Sequence, residues 1–340
     1  MQETPETTAT ERLQAFLLSR GMPDSVEPLT PDASARKYFR VRWEGRPAVA
    51  CVYPEAFGKN LPYLDTTALF NAAGVPVAEV YVSEPGSGIV IQQDLGDRLL
   101  SGVLESASVA ACETLVDDAV RLIAKIQAAT DLARERRSIA YRLRFDREKL
   151  EWELGFFLDH HFGSLLKMPL ARGLEDSVRA EFATLAEELE EYSRYLAHRD
   201  FHASNLMLAD EGRLYLIDHQ DARLGSAAYD LVSLLLDRIK EPPAPDRLES
   251  KRNLLLNERQ KLGLEKIDPA AFAFEFDLVA IQRCLKAIGT FSNQAGNFGR
   301  SNYMPYIAPM FGIVEGICRR IGSYPAIVEM IGVSQGRVGK

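Results

Sequence analysis

The stretch His198-Arg199-Asp200-Phe201-His202-Ala203-Ser204-Asn205, followed by Leu216-Ile217-Asp218-His219-Gln220-Asp221, decides the reading of this chain. Asp200 lies on a polar loop ahead of a short apolar strand, Leu206–Leu208, which Asn205 opens. The turn Asp210-Glu211-Gly212 sends the chain back through a second apolar run, Leu214–Ile217, and delivers Asp218 at the matching end. An amide oxygen and a carboxylate held together are hard donors suited to Mg²⁺, which takes one or two protein ligands and fills its shell with water and phosphate. A further carboxylate five residues before the Asn can accept a proton from a hydroxyl. A metal clamp and a base that orients the nucleophile are the parts that phosphoryl transfer requires. His-x-Asp alone arises by chance. The full spacing, with the hairpin and the second Asp, is far more specific.

Outward from this segment the two halves of the chain differ. Residues 37–43 (KYFRVRW) and 46–53 (RPAVACVY) flank Glu44-Gly45 and predict a hairpin. Two further strands are predicted near 77–82 and 88–93, around Pro85-Gly86-Ser87-Gly88, and helices over 10–20 and 61–73. Beyond Asp94 the apolar period becomes helical. Helices are predicted over 107–128, 146–162, 174–196, 226–237, 249–261, 269–290 and 305–321. The expected fold class is α+β, with a small β-rich lobe over 1–95 and a larger, mostly α-helical lobe over 96–340 that contains the hairpin.

Composition narrows the function. The 340 residues are 46% hydrophobic and 26% charged, values of a folded chain rather than a disordered one. The net charge of −8 argues against a nucleic-acid binder that relies on a broad basic surface. No run of about 18 apolar residues predicts a membrane span. The polar start MQETPETTATERL does not read as a signal peptide. Cys51, Cys112, Cys284 and Cys318 form no C-x-x-C pair, so they read as small core residues of a reduced, cytoplasmic protein.

With these residues in view, the chain resembles the aminoglycoside phosphotransferase-like kinases, relatives of the protein kinases. The resemblance rests on His198-x-Asp200-x-x-x-x-Asn205, Ile217-Asp218-x-x-Asp221 and Tyr229-Asp230-Leu231, and it extends over nearly the whole sequence. Asp-Ala-Ser-x-Arg-x-Tyr-Phe-Arg (32–40), Ala-Gly-Val-Pro-Val (73–77), Asp-Leu-Gly-Asp (94–97) and Gln-Arg-x-Leu-Lys-Ala-Ile-Gly-Thr-Phe (282–291) look like one branch. That branch is the anomeric N-acetylmuramate/N-acetylglucosamine kinases of cell-wall recycling. The resemblance implies a two-lobed protein-kinase-like fold and transfer of the γ-phosphoryl of ATP to the C1 hydroxyl of an amino sugar. It implies Asp200 as catalytic base, Asn205 and Asp218 on Mg²⁺, and His198 and Asp230 bracing the loop. It also implies Gln93, Asp94 and Leu95 as the hinge whose backbone meets adenine.

The chain departs from the broader family in one coherent way. That family carries a Lys on the third strand paired with a Glu on the crossing helix. Here the third strand offers Ala50, Cys51, Val52 and Tyr53, and helix 61–73 has Asp65 but no Glu. Losing both partners together avoids a buried unpaired charge. Ser34, Arg36 and Lys37, in the loop entering the sheet, are the expected replacements toward the phosphates. His219, where the branch favours Phe, is expected to pack rather than bind metal. His160 and His161 point apart on a helix and are not expected to share a metal. Glu153 and Asp159 are the expected acceptors for a sugar's hydroxyls and amide, and they would equally suit the cations of an aminoglycoside. Lys286, mid-helix, reads equally as a group near the site or as a snorkelling side chain. Two rivals remain: an aminoglycoside or other small-alcohol phosphotransferase, and a catalytically silent nucleotide-binding module.

Overall fold

The computed structural model describes residues 8–22, 26–29, 35–58 and 60–336. The chain divides into two compact units, Met1–Ser106 with Ser204–Gln220, and Ala107–Ala203 with Asp221–Lys340. Helix α1 is Ala9–Ser19, and the strands β1 Glu27–Leu29, β2 Lys37–Trp43 and β3 Arg46–Val52 follow. Helix α2 Pro62–Ala72, strands β4 Val80–Glu84 and β5 Ile89–Gln93, and helix α3 Leu100–Ser106 complete the run to Ser106. The five strands form one antiparallel sheet in the order β1-β2-β3-β5-β4.

Alternation explains the two faces of this sheet. Phe39, Val41 and Trp43 of β2 and Ala48, Ala50 and Val52 of β3 pack in one cluster with Leu13, Phe16 and Leu17 of α1. Cys51 points the other way, into a cluster with Tyr63 of α2 and Val90. Each large side chain buried this way contributes about 1.5–3 kcal/mol. The β2–β3 turn places Glu44 at φ 50° and Gly45 at φ 79°, the left-handed pair that two-residue hairpins need.

The hairpin Leu206–Leu208/Leu214–Leu216 clusters with this first unit, whereas the sequence places it in the helical lobe. Its outer edges explain why: the Leu216 N–H donates to the Pro76 carbonyl at 2.9 Å, and the Leu208 N–H to that of Arg98 at 2.8 Å.

The second unit is helical. Its elements are α4 Val109–Ala128, α5 Thr130–Glu135, α6 Ile139–Arg142, α7 Arg147–Leu158 and α8 Arg172–Glu191, then α9 Tyr229–Leu236, α10 Pro245–Lys261, α11 Pro269–Phe298, α12 Ile307–Ile321 and α13 Pro325–Ser334. Helix α7 runs on into a π-helical stretch, Asp159–Leu165. Helix α11 is the axis: it is buried along most of its length and packs on α7, α9 and α12. At Gly289 a Cβ would meet the Phe157 Cα at 2.7 Å, so only glycine lets α11 lie this close to α7. The expected helix over 174–196 stops at Glu191, because Tyr195–Ala197 pairs as a strand with Arg223–Gly225. None of the described helices is long and apolar enough to cross a membrane.

Candidate active site

The second unit supplies Asp200 and the frame around it. The Asp230 carboxylate, in the first turn of α9, accepts the backbone N–H groups of His198 at 2.7 Å and Arg199 at 3.1 Å. Arg199 sits at φ 83°, an uncommon conformation for a side-chain-bearing residue. Those two hydrogen bonds hold the turn and present Asp200. Burial pushes the Asp230 carboxyl up to about 7 against these same hydrogen bonds. The His198 ring is fully buried, edge-on to Phe201.

Asp200 meets two cations from α11. Its Oδ1 accepts from Arg283 Nη1 and from Lys286 Nζ, each at 3.1 Å. Burial by itself would raise this carboxyl; Lys286, Arg283 and Arg199 outweigh it and hold Asp200 well below the usual carboxylate range. Its side chain is 24% exposed, so an ionised oxygen stays within reach of an incoming hydroxyl. Arg283, fully buried, also binds the buried carboxylate of Asp237 at 2.9 Å. Asp200 is thus anchored by an arginine that is itself anchored.

Glu153 lies behind Arg199 and is 1% exposed. Its carboxylate accepts from Gln282 Nε2 at 2.9 Å and pairs with Lys149 at 3.6 Å and Arg199 at 3.7 Å. Those contacts make it a brace for the loop that carries Asp200, in place of the expected sugar contact. Asp159 is exposed, at the start of the π-helical stretch. The histidines beside it diverge. His161 spends both ring nitrogens on the hydroxyls of Ser292 and Ser334, while His160 faces Ser164 and packs at a tilt against Phe156.

Asn205 and Asp218, the expected oxygen donors, lie in the first unit. Asn205 ends a 3₁₀ turn just before the hairpin. The Ile217 N–H donates to the Asn205 carbonyl at 3.1 Å, which sets Asp218 beside it. Asp218 adopts φ 61°, a turn out of the strand that Asp tolerates better than most residues. Its Oδ1 accepts from Gln220 Nε2 at 2.8 Å and Arg36 Nη2 at 3.2 Å. An amide and a carboxylate at the paired ends of the hairpin are donors of the kind that fit a magnesium ion sharing its shell with phosphate oxygens. Arg36 packs its guanidinium over Tyr38 and over Tyr53, the residue just past β3. A cation from the loop entering the sheet thus stands at the end of the strand where the wider family carries its lysine. Lys37 is exposed, and Ser34 lies outside the described residues.

Near the expected hinge, the Gln93 N–H donates to the Glu79 carbonyl at 2.8 Å, and Leu95 is half-buried. The Asp94 carboxylate is committed: Arg40 Nε donates to it at 2.6 Å and the Gly96 N–H at 2.9 Å. The Asp94 side chain is thus held within the first unit by Arg40 and Gly96. His219 is buried with its Nε2 2.7 Å from the Thr67 hydroxyl and its ring against Tyr63 and Phe70, a packing role.

Sequence reasoning gave no role to Arg283, Arg199 or Asp237. For Arg283 a signal was present: a cation inside the largely apolar run Leu278–Ile288, which also holds Lys286, needs a counter-charge if it is buried.

Residues 25–263 match the model of the phosphotransferase enzyme family, and the chain belongs to that family. Among curated proteins, the N-acetylmuramate/N-acetylglucosamine kinase of Neisseria meningitidis is 28% identical over 88% of this chain and 89% of its own. The Pseudomonas aeruginosa protein of the same name is 27% identical over 91% and 87%. Among solved structures, choline kinase from Streptococcus pneumoniae superposes with TM-score 0.58 at 14% identity, covering 93% of this chain and 100% of that one. The aminoglycoside phosphotransferase APH(2″)-IIa, in ternary complex with streptomycin and ATP, gives TM-score 0.54 at 14% identity over 92% and 99%. The fold is protein-kinase-like. The chain is a phosphotransferase with an alcohol group as acceptor.

Proposed function

We propose that this phosphotransferase moves the γ-phosphoryl of ATP to the anomeric hydroxyl of N-acetylmuramate or N-acetylglucosamine. The observation that carries the reading is the placement of Asp200: partly exposed and fixed by Arg283 and Lys286, cations that hold its carboxyl well below the usual range. A carboxylate with so low a proton affinity is a weak base toward a resting hydroxyl. It orients that hydroxyl by accepting its hydrogen bond. It takes the proton late, once the new O–P bond has made the hydroxyl acidic, as a loose phosphoryl-transfer transition state allows. Asn205 and Asp218 would hold Mg²⁺, which when bound offsets the charge of the phosphate oxygens.

The acceptor is inferred from charge and from the curated relatives. The aminoglycoside alternative leaned on Glu153 and Asp159 as acidic contacts; Glu153 is buried against cations, while Asp159 stays exposed. The linked groups around Asp200 comprise five cations (Lys149, Arg199, Arg223, Arg283, Lys286) and four carboxylates (Glu153, Asp200, Asp221, Asp237). Such surroundings favour a neutral or anionic sugar over a polycation. The test is ADP release with ATP, Mg²⁺ and each of N-acetylglucosamine, N-acetylmuramate and kanamycin. Turnover of the acetylated sugars alone supports the reading, and turnover of kanamycin alone overturns it.

In this reading Arg36 takes over the phosphate contact of the missing third-strand lysine. Arg36→Ala should weaken ATP binding by about 1.5–3 kcal/mol, the value of a charge-assisted hydrogen bond, and leave adenosine nearly unchanged. Lys37→Ala, at an exposed position, should change neither. Calorimetric titration with both ligands decides; equal weakening of ATP and adenosine by Arg36→Ala would remove Arg36 from the phosphates.

A further inference from the structure

We infer that Lys286 is a catalytic residue, the cation on the Asp200 side of the site that grips the phosphoryl group as it passes to the acceptor. The inference rests on the reading of Asp200 as the group that orients the acceptor hydroxyl.

The argument starts from helix α11. Arg283 and Lys286 are three residues apart, one turn, so both reach the same neighbour, and both donate to the same Asp200 oxygen at 3.1 Å. Their surroundings differ. Arg283 is 2% exposed and divides its guanidinium between Asp200, the Tyr229 hydroxyl and Asp237. Anchoring Asp200 needs nothing more. Lys286 is 16% exposed and brings a second positive charge to an oxygen that already has one. Its ammonium carries three donors, and one of them serves Asp200.

Chemistry then fixes what those donors meet. A hydroxyl held by Asp200 receives phosphorus within a hydrogen bond's length of that carboxylate. The equatorial oxygens of the transferring group carry the charge in the transition state and lie within reach of a cation bound to Asp200. A preorganised donor at such a point is typically worth 10²–10³-fold in turnover. In the transfer itself the acceptor oxygen forms its bond to phosphorus, the bond from phosphorus to the ADP oxygen breaks, and the hydroxyl proton passes to Asp200. Lys286 keeps its own protons throughout.

The test uses the full chain with ATP, Mg²⁺ and N-acetylglucosamine. Lys286→Met should lower kcat by about 10²–10³-fold with KM for ATP within about threefold, and Lys286→Arg should recover at least about tenfold. Removing a cation from Asp200 raises that carboxyl, so the acid limb of the kcat profile should move to higher pH. A readout independent of turnover is binding of ADP with aluminium fluoride and the sugar. Lys286→Met should bind this mimic at least about tenfold more weakly than the parent and bind ADP alone equally well. If the variant keeps its plateau kcat, or binds the mimic as tightly as the parent does, Lys286 does not touch the phosphoryl group. Asp200→Asn separates the two ideas. If it stays active, the reading of the site fails. If it is inactive while Lys286→Met is not, only the inference fails.

Discussion

Asp200→Asn should lower turnover by about 10²–10⁴-fold while ATP binds almost as before. The amide keeps the size of the carboxylate and loses both its charge and its capacity to take the acceptor proton. Arg283 retains Asp237 at 2.9 Å, so the helix face opposite residue 200 stays in place. Lys286 and Arg283 then face a neutral group, and the cost falls on catalysis more than on folding. The measurement is kcat from ADP release beside calorimetric affinity for ATP. Most of the parent's turnover surviving at saturating substrates would show that Asp200 is not the base.

Asp218→Ala should abolish transfer, with a loss of about 10³-fold or more, because several kcal/mol of charge stabilisation at the phosphates depend on its carboxylate. Two further effects have to be separated from that one. Asp218 sits at φ 61°, where alanine is strained by about 1–2 kcal/mol. Arg36, 3.2 Å away, also loses this contact. Asp218→Asn accepts the same backbone conformation and keeps a side-chain oxygen, so it isolates the charge. It should fold like the parent, require far more Mg²⁺ and recover part of the activity when Mg²⁺ is raised. An unchanged Mg²⁺ dependence in both variants would remove Asp218 from the metal.

How much of this was legible in the sequence depended on the range of the contacts. The β2–β3 hairpin and the strands flanking Asp210-Glu211-Gly212 are set by local period and turn chemistry and lie within a few residues of where the sequence puts them; the long helices are found too, though the one expected over 269–290 runs on to Phe298. Tyr195–Ala197 escaped because a three-residue strand has no period of its own and its partner, Arg223–Gly225, is remote in sequence. The partner of Arg283 escaped for a related reason: Asp200 is 83 residues away in sequence. Glu153 illustrates a signal present but misread. It stands three residues after Leu150 and four before Phe157, both buried, so helical period alone places it on the inward face of α7. An acid there needs cations, which Lys149 and Arg199 provide.

The account stands most directly on which hydroxyl receives phosphate, and phosphorus-coupled proton NMR of the product reads it. The enzyme is incubated with ATP, Mg²⁺ and either N-acetylglucosamine or its methyl glycoside, in which the anomeric oxygen is capped. The free sugar should yield a product whose phosphorus couples to the anomeric proton. The methyl glycoside should remain unphosphorylated even where it binds, since the cap removes the one hydroxyl Asp200 orients. Phosphorylation of the methyl glycoside at a comparable rate, with phosphorus coupled to another ring proton, would contradict the anomeric assignment.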